Sequence, residues 1–430
     1  MAAISQFIGQ SRLKPAKVLV FLVLLSIPLC AYYLWLLGVS VVTLHSRLSG
    51  ASDFELILCG ARHFFHDYLP PYQTCAGNNP LSGFLYPPVS ILLLAPLAGL
   101  PTPIAFMVLS FISLLLLGAS LFYIQVLAGD LWPKDHFGKY SLPLLLVSLA
   151  PIMQTLTTGH VNLIILAVFV LGLHFAVKQR PVLAAVIIAV GFWLKLYPVF
   201  LLAVLIVRRK CRPAVYWTMA WIIVLAALGL LVLGQSTYIE YFSEFLPTLQ
   251  KYTVPGYSQS ITAQWTHINT GLAVQISTGH VEFRAVPLSM VEGLVSKIVL
   301  LIGLAVAVVP LWRHPTAANL TSLTALAIIL LTLLLYSPVA WTHHFVLAIP
   351  AMALLLMRLT AGVALSEQFL TAFCWLALAI PGWTQFPQLL LDVPGGYYLA
   401  GLFYLRYTLS ALLMLAILVF NAGQPHRHQR

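Results

Sequence analysis

Long runs of apolar residues recur along the chain and predict helices that cross a membrane. A transmembrane helix needs about 20 mostly apolar residues, and runs of this kind follow one another from residue 18 to residue 420. The predicted spans are residues 18–44, two within 88–128, 141–157, 161–177, 182–207, 214–234, 286–311, 317–336, 345–363, 366–380 and 398–420. The pattern indicates an all-α, polytopic integral membrane protein with about 11–13 transmembrane helices.

Composition supports this interpretation and narrows the possible partners. The chain is 61% hydrophobic and 8% charged, whereas a soluble domain is about 25% charged. The net charge of +11 comes largely from short basic clusters between apolar runs, such as Arg208, Arg209, Lys210 and Arg212. That distribution is typical of cytoplasmic loops, so we expect membrane lipids as partners and no nucleic acid.

The basic clusters also predict how the chain is oriented, as one transmembrane domain over residues 1–430. Residues 1–17 and 421–430 are expected in the cytoplasm, and the polar segments 45–87 and 235–284 outside it. One conflict stays open. Two full crossings within 88–128 would place Lys178 and Arg180 outside, so one of the apolar segments is expected to be re-entrant.

The first outer segment, residues 45–87, holds three of the 11 acidic residues of the chain: Asp53, Glu55 and Asp67. Apolar spacing predicts an amphipathic helix over residues 53–66 that lies on the membrane. Asp53 allows two interpretations, a general base at the bilayer surface or the N-cap of this helix. Cys59 and Cys75 can form a disulfide if the segment is extracytoplasmic.

A few polar residues interrupt the apolar runs, where each needs a partner or a purpose. His160 and Asn162 lie at a predicted hinge over residues 157–162. Lys195 lies mid-run beside Tyr197 and Pro198, which predicts two half-helices that meet at a break. Lys195 either binds a phosphate or snorkels towards the surface.

His343 and His344 follow Trp341 at the outer end of a span. They are either phosphate or sugar ligands or part of an interfacial aromatic belt. Adjacent histidines point apart on a helix, and no carboxylate lies near them in sequence. We therefore expect neither a metal site nor a cofactor.

Five motifs in order carry a resemblance to a known family. They are Ser52-Asp53-Phe54, Tyr86-Pro87-Pro88, Gly159-His160-Val161-Asn162-Leu163, Lys195-Leu196-Tyr197-Pro198 and Ser337-Pro338-Val339-Ala340-Trp341-Thr342-His343-His344. Over residues 50–345 the chain resembles glycosyltransferase family 87, a branch of the GT-C membrane transferases. It departs from the family pattern at His160, where Gln is more usual, and residues 235–284 carry no family motif.

The resemblance implies a GT-C-like fold with its active site on two extracytoplasmic loops. It implies an inverting transfer without a metal, in which a hexose, most often mannose, moves from a polyprenyl phosphate to a lipid- or glycan-linked acceptor. The site would face the periplasm or outside of the inner (plasma) membrane. Asp53 would match the family's base, while the candidates for donor and phosphate binding are Lys195, Tyr197, His343 and His344. Further candidate site residues are His160, Asn162, Tyr86, Trp341 and Glu55.

Two rival functions remain compatible with a polytopic chain. A transporter or flippase of lipid-linked sugars would need polar residues along several spans, whereas here they gather at one side. A non-catalytic scaffold subunit would not need Asp53.

Overall fold

A computed structural model describes residues 15–44, 53–75, 83–254, 258–269, 285–313, 318–380 and 396–422. The longer helices are α1 (Pro15–Leu44), α5 (Thr102–Ala128), α8 (Asn162–Val177), α9 (Pro181–Leu194), α11 (Arg212–Glu240), α14 (Met290–Arg313), α15 (Ala318–Tyr336), α17 (Leu365–Ala379) and α18 (Gly396–Ala422). The shorter ones are α2 (Asp53–Arg62), α3 (Pro71–Thr74), α4 (Val89–Ala98), α6 (His136–Val147), α7 (Ala150–Thr158), α10 (Leu201–Val207), α12 (Leu246–Lys251), α13 (Ile261–Asn269) and α16 (Ile349–Thr360).

The predicted fold class, an all-α polytopic membrane protein, is confirmed. Within the described ranges, six helices are long and apolar enough to cross a membrane, and one bent pair, α6 and α7, passes the same test as a single span. Shorter apolar helices of 10–17 residues accompany them. Strand structure in the same ranges is limited to β1 (Tyr252–Thr253) and β2 (Val286–Pro287), which pair antiparallel. The exact number of crossings stays a prediction.

Helix α4 bears on the conflict over the orientation of residues 88–128. This region forms two helices, as predicted, but α4 has only 10 residues. At 1.5 Å per residue it is about 15 Å long, half of the roughly 30 Å hydrocarbon core. Since α4 is too short to cross alone, it is the segment best suited to be re-entrant.

The interior of the bundle is built around α15 and α16, which are mostly apolar and largely buried. Helix α15 packs against α14 and α18, and α9 packs against α8 and α11. Outer helices instead expose large apolar side chains, among them Leu34 of α1 and Leu231 of α11. Such faces suit contact with lipid chains.

Helix α2 begins at Asp53, as predicted, but its apolar stripe is buried against protein. Phe54, Ile57, Leu58 and Ala61 are at most 1% exposed, and α2 packs on α4. The expectation that this helix lies on the membrane through that stripe is therefore wrong. Its other end is fixed by Arg62, which donates to Ala98 O, Leu100 O and Thr102 Oγ1 at 3.0–3.3 Å.

The first outer segment is also cross-linked, since Cys59 and Cys75 form a disulfide. Tyr72 of α3 packs against Phe84 of the same segment and against Tyr241 and Phe245 beyond α11. The two outer segments are therefore in contact. The second one remains helical through Lys251 and continues in β1 and α13.

Candidate functional site

The predicted break at Lys195 is confirmed, and local chemistry explains it. Helix α9 ends at Leu194, and Lys195 is extended with φ −160° and ψ 126°. Pro198 lacks an N–H, so the chain resumes as a 3₁₀ turn over Tyr197–Phe200 before α10. Breaking the helix directs the Lys195 side chain into the bundle, where it lies beside the ring of Tyr197, 5.1 Å from its centroid.

The Lys195 ammonium is held by two buried side chains from distant parts of the chain. Its Nζ donates to Asn162 Oδ1 at 2.9 Å and lies 3.0 Å from His344 Nε2. An ammonium can only donate, so this contact requires an unprotonated Nε2 atom on His344 as the acceptor. A lysine has three N–H groups, and these contacts use two of them.

The predicted hinge at residues 157–162 places Asn162. Helix α7 ends at Thr158, Gly159 adopts φ +70° and α8 begins at Asn162. Asn162 is 1% exposed, and its Nδ2 donates to His343 O at 3.3 Å. Both ends of the carboxamide are therefore occupied, which fixes the oxygen towards Lys195.

The third part of the site is the segment 337–344 between α15 and α16. The His343 ring stacks on His160 with centroids 3.9 Å apart, and Trp341 lies nearly parallel to His344 at 6.4 Å. Thr155 donates to His343 O at 3.1 Å. Three helix breaks thus meet at one place, and seven of the predicted site residues lie together there: His160, Asn162, Lys195, Tyr197, Trp341, His343 and His344.

Helix α2 reaches the same place through Phe54. A Cβ atom on Gly159 would lie 2.8 Å from Phe54 Cβ, so the two backbones approach closely. Asp53 is the first residue of α2 and directly precedes Phe54. Its side chain lies outside the described part of the chain, and so its role as a base stays a prediction. Glu55 is half-buried on the same helix.

Tyr86 lies in the aromatic cluster of the first outer segment. Its carbonyl accepts from Tyr72 Oη at 2.7 Å, and its ring lies 5.7 Å from that of Phe84. Burial raises the pKa of Tyr72, so this hydroxyl stays protonated and can donate. Tyr86 therefore has a structural contact that the sequence did not indicate.

Several residues at the site were not expected from the sequence. Thr253 and Ser258 donate to Pro338 O, and Gln259 N donates to Ala340 O at 2.7 Å. These three residues of the second outer segment are therefore hydrogen-bonded to the stretch just before Trp341. Thr155 was missed as well, although it lies in α7 only two residues before the predicted hinge.

One group of potential metal ligands lies elsewhere, in the first outer segment. Cys59, His63 and Cys75 have ligand atoms within 4.8 Å of one another, the only such group in the described ranges. The two sulfurs are joined as a disulfide, so they are not thiolate ligands.

The fold and the site together define a multi-pass membrane protein with a polar site where several helices break. The family model of glycosyltransferase family 87 matches residues 84–338, and the chain belongs to this family. It is a membrane glycosyltransferase.

Two curated proteins of Mycobacterium tuberculosis are similar over most of the chain. One, from strain H37Rv, is a polyprenol-phosphate-mannose-dependent α-(1-2)-phosphatidylinositol mannoside mannosyltransferase, 26% identical over 346 residues, which is 74% of each protein. The other, from strain CDC 1551, is the corresponding phosphatidylinositol pentamannoside mannosyltransferase, 24% identical over 387 residues, 87% of this chain and 81% of that protein.

Proposed function

We propose that this protein is an inverting mannosyltransferase that needs no metal and takes mannose from a polyprenyl phosphate. Asp53 accepts the proton of an acceptor hydroxyl, and that oxygen attacks the anomeric carbon. The bond between this carbon and the phosphate oxygen breaks, and the polyprenyl phosphate leaves with the bonding electrons. The donor is supported by the names of both similar proteins.

The observation that carries the proposal is the Lys195 ammonium held by Asn162 and His344. The leaving phosphate gains negative charge in the transition state, and a fixed cation in a site of low dielectric stabilises it. The third N–H of Lys195 can donate to a phosphate oxygen. Helix α8 starts at Asn162, so the positive end of its dipole adds to the same effect.

The distribution of charge supports an extracytoplasmic site. Three chain segments start at the site and run to basic residues at their far ends: α8 to Lys178, α10 to Arg208, and α16, through the turn Thr342–Ala348, to Arg358. Basic residues favour the cytoplasmic side, which supports a site at the opposite end. The Cys59–Cys75 disulfide of the first outer segment suits an oxidising compartment outside the inner membrane.

The acceptor is a hydroxyl of a lipid-linked glycan. Both similar proteins are named for phosphatidylinositol mannosides, so a mannosylated phosphatidylinositol is the first acceptor to test. A labelled polyprenyl-phosphate-mannose, incubated with the purified protein and this lipid in detergent or vesicles, should give a labelled glycolipid. A flippase would give none.

The decisive variant is Asp53→Asn, with Glu55→Gln as the matched control on the same helix. Asn caps a helix about as well as Asp, so the variant should insert and melt like wild type. Its transfer rate should fall by about 10²–10⁴-fold, the usual contribution of a general base. Glu55→Gln should keep its activity. If Asp53→Asn transfers at the wild-type rate, the base lies elsewhere, and Glu55 and Asp67 are next to test.

A further inference from the structure

Several polar side chains of the second outer segment, in the described residues 258–269, are buried in the fold. Ser258, Gln259, Gln264 and Thr266 are each at most 4% exposed, in a chain with only 8% charged residues. Polar groups that are buried this deeply are almost always hydrogen-bonded. Each of them therefore needs a structural partner or a ligand.

The hydroxyl groups of this segment have structural partners. Ser258 Oγ accepts from Ala340 N at 2.8 Å, which fastens the segment to residues 338–340. Ser260 Oγ accepts from Ala263 N at 3.2 Å and caps α13. Thr266 donates to Glu292. These contacts are accounted for by the fold alone.

The two glutamines are different, because each has a buried carbonyl oxygen without a hydrogen-bond partner in the described structure. In Gln264 the orientation of the carboxamide is fixed, since Nε2 donates to Ser258 O at 2.9 Å. A backbone carbonyl can only accept, so the other atom of Gln264 must be Oε1. This bond also places the carboxamide of Gln264 beside the peptide that joins Ser258 to Gln259.

We propose that the carboxamides of Gln259 and Gln264 bind hydroxyl groups of a sugar held beside the reaction centre. The unused atom of Gln264 is an acceptor, so its missing partner must be a hydrogen-bond donor. The Gln259 carboxamide can accept from such a group through Oε1 and donate to it through Nε2. An ionised phosphate and a polyprenyl chain have no such donor, whereas every sugar hydroxyl has one. Gln259 is also correctly placed, because its N–H binds Ala340 O, one residue before Trp341.

This inference rests on the proposed function and assigns one part of the site to the phosphate and another part to the sugar. The Lys195 ammonium donates to the phosphate, and the carboxamides of the second outer segment bind the sugar. The sugar is either the mannose of the donor or the terminal mannose of the acceptor, and the kinetics of one variant separate these two sources.

Gln259→Met is the sharpest test, since the Gln259 side chain makes no hydrogen bond within the described residues and Met keeps its length. Removing a polar group that has no protein partner should leave the melting temperature unchanged or raise it. KM should rise about tenfold, the usual effect of one lost neutral hydrogen bond. If the KM for the donor rises, measured at saturating acceptor, the glutamine binds the donor sugar. If the KM for the acceptor rises, measured at saturating donor, the glutamine binds the acceptor sugar.

Gln368→Met is the matched control. Gln368 is also 4% exposed with an unpartnered Oε1, but it lies beyond the far end of α16, next to the Arg358–Glu367 ion pair. It should keep both KM values. Deoxy-mannosides, each of which lacks one hydroxyl group, add a second readout. One of them should bind the wild type more weakly than the full mannoside does, but should show no such loss with Gln259→Met, because the variant already lacks the partner of that hydroxyl.

Unchanged KM values in both titrations of Gln259→Met would overturn the inference while mannose transfer by the wild type stands. Equal effects in Gln368→Met would overturn it too, because they would show a general response to losing a buried amide. If the wild-type protein transfers no mannose, the proposed function fails, and the sugar assignment fails with it.

Discussion

Replacing Gly159 by alanine tests whether α2 and the hinge before α8 form one unit. Gly159 has φ +70°, a conformation that costs an L-residue about 1–2 kcal/mol. An added Cβ would also lie 2.8 Å from Phe54 Cβ. Because Phe54 Cβ is attached directly to the backbone, rotation of the side chain cannot relieve this contact.

Both costs can be estimated. Overpacking of a well-filled interior costs about 1–3 kcal/mol, so together with the backbone term the substitution should cost about 2–5 kcal/mol. This cost appears either as a lower free energy of unfolding or as a movement of α2 away from the hinge, which relieves the contact. Such a movement displaces Asp53, and a 1 Å misplacement in an active site reduces a rate by about 10²-fold.

Transfer from labelled polyprenyl-phosphate-mannose and the melting temperature in detergent should be measured on the same preparation. Gly118→Ala is the control, since nothing lies within 4 Å of the added atom and φ is not positive. It should be neutral or slightly stabilising. If Gly159→Ala melts and transfers like wild type, the close approach of Phe54 to the hinge does not exist as described.

Two further predictions concern other parts of the site. Lys195→Met should insert normally but lower kcat by about 10²–10³-fold, because a fixed charge at the leaving phosphate is lost; kinetics equal to wild type would make Lys195 a structural residue. The double variant Cys59→Ala, Cys75→Ala removes the disulfide, which closes a loop with a sequence separation of 16. This loss should lower the free energy of unfolding by about 3 kcal/mol and lower the melting temperature of the oxidised protein. A reductant should lower the melting temperature of the wild type but not that of the double variant.

The fold was predictable from sequence wherever a local property decides it. Run length predicts the apolar helices, and Gly159 and Pro198 predict the two breaks because their backbone requirements are local. Hydropathy cannot show that α4 is too short to cross, since the whole of 88–128 is apolar and Pro101 only marks a turn. The sequence does not show that the apolar stripe of α2 is buried against protein. The spacing of apolar residues is the same in a helix that packs on protein and in one that lies on lipid.

The site was predictable as a set of residues but not as a set of contacts. Lys195 is 33 positions from Asn162 and 149 from His344, and packing alone brings them together. Thr155 and Ser258 were missed for a related reason. A serine or threonine looks the same in sequence whether water or a distant carbonyl binds it.

The site lies at helix breaks because of how a membrane restricts the backbone. An unbroken helix satisfies its own N–H and C=O groups, so it can offer a ligand only side chains. Helix α9 has 14 residues, about 21 Å, and starts beside Arg180, while the hydrocarbon core is roughly 30 Å thick. On the orientation proposed above, Lys195 would therefore lie within the depth of the hydrocarbon, where a cation needs partners, and Asn162 and His344 provide them. At this depth, the phosphate of the proposed polyprenyl donor could reach the ammonium while its chain stays in the bilayer.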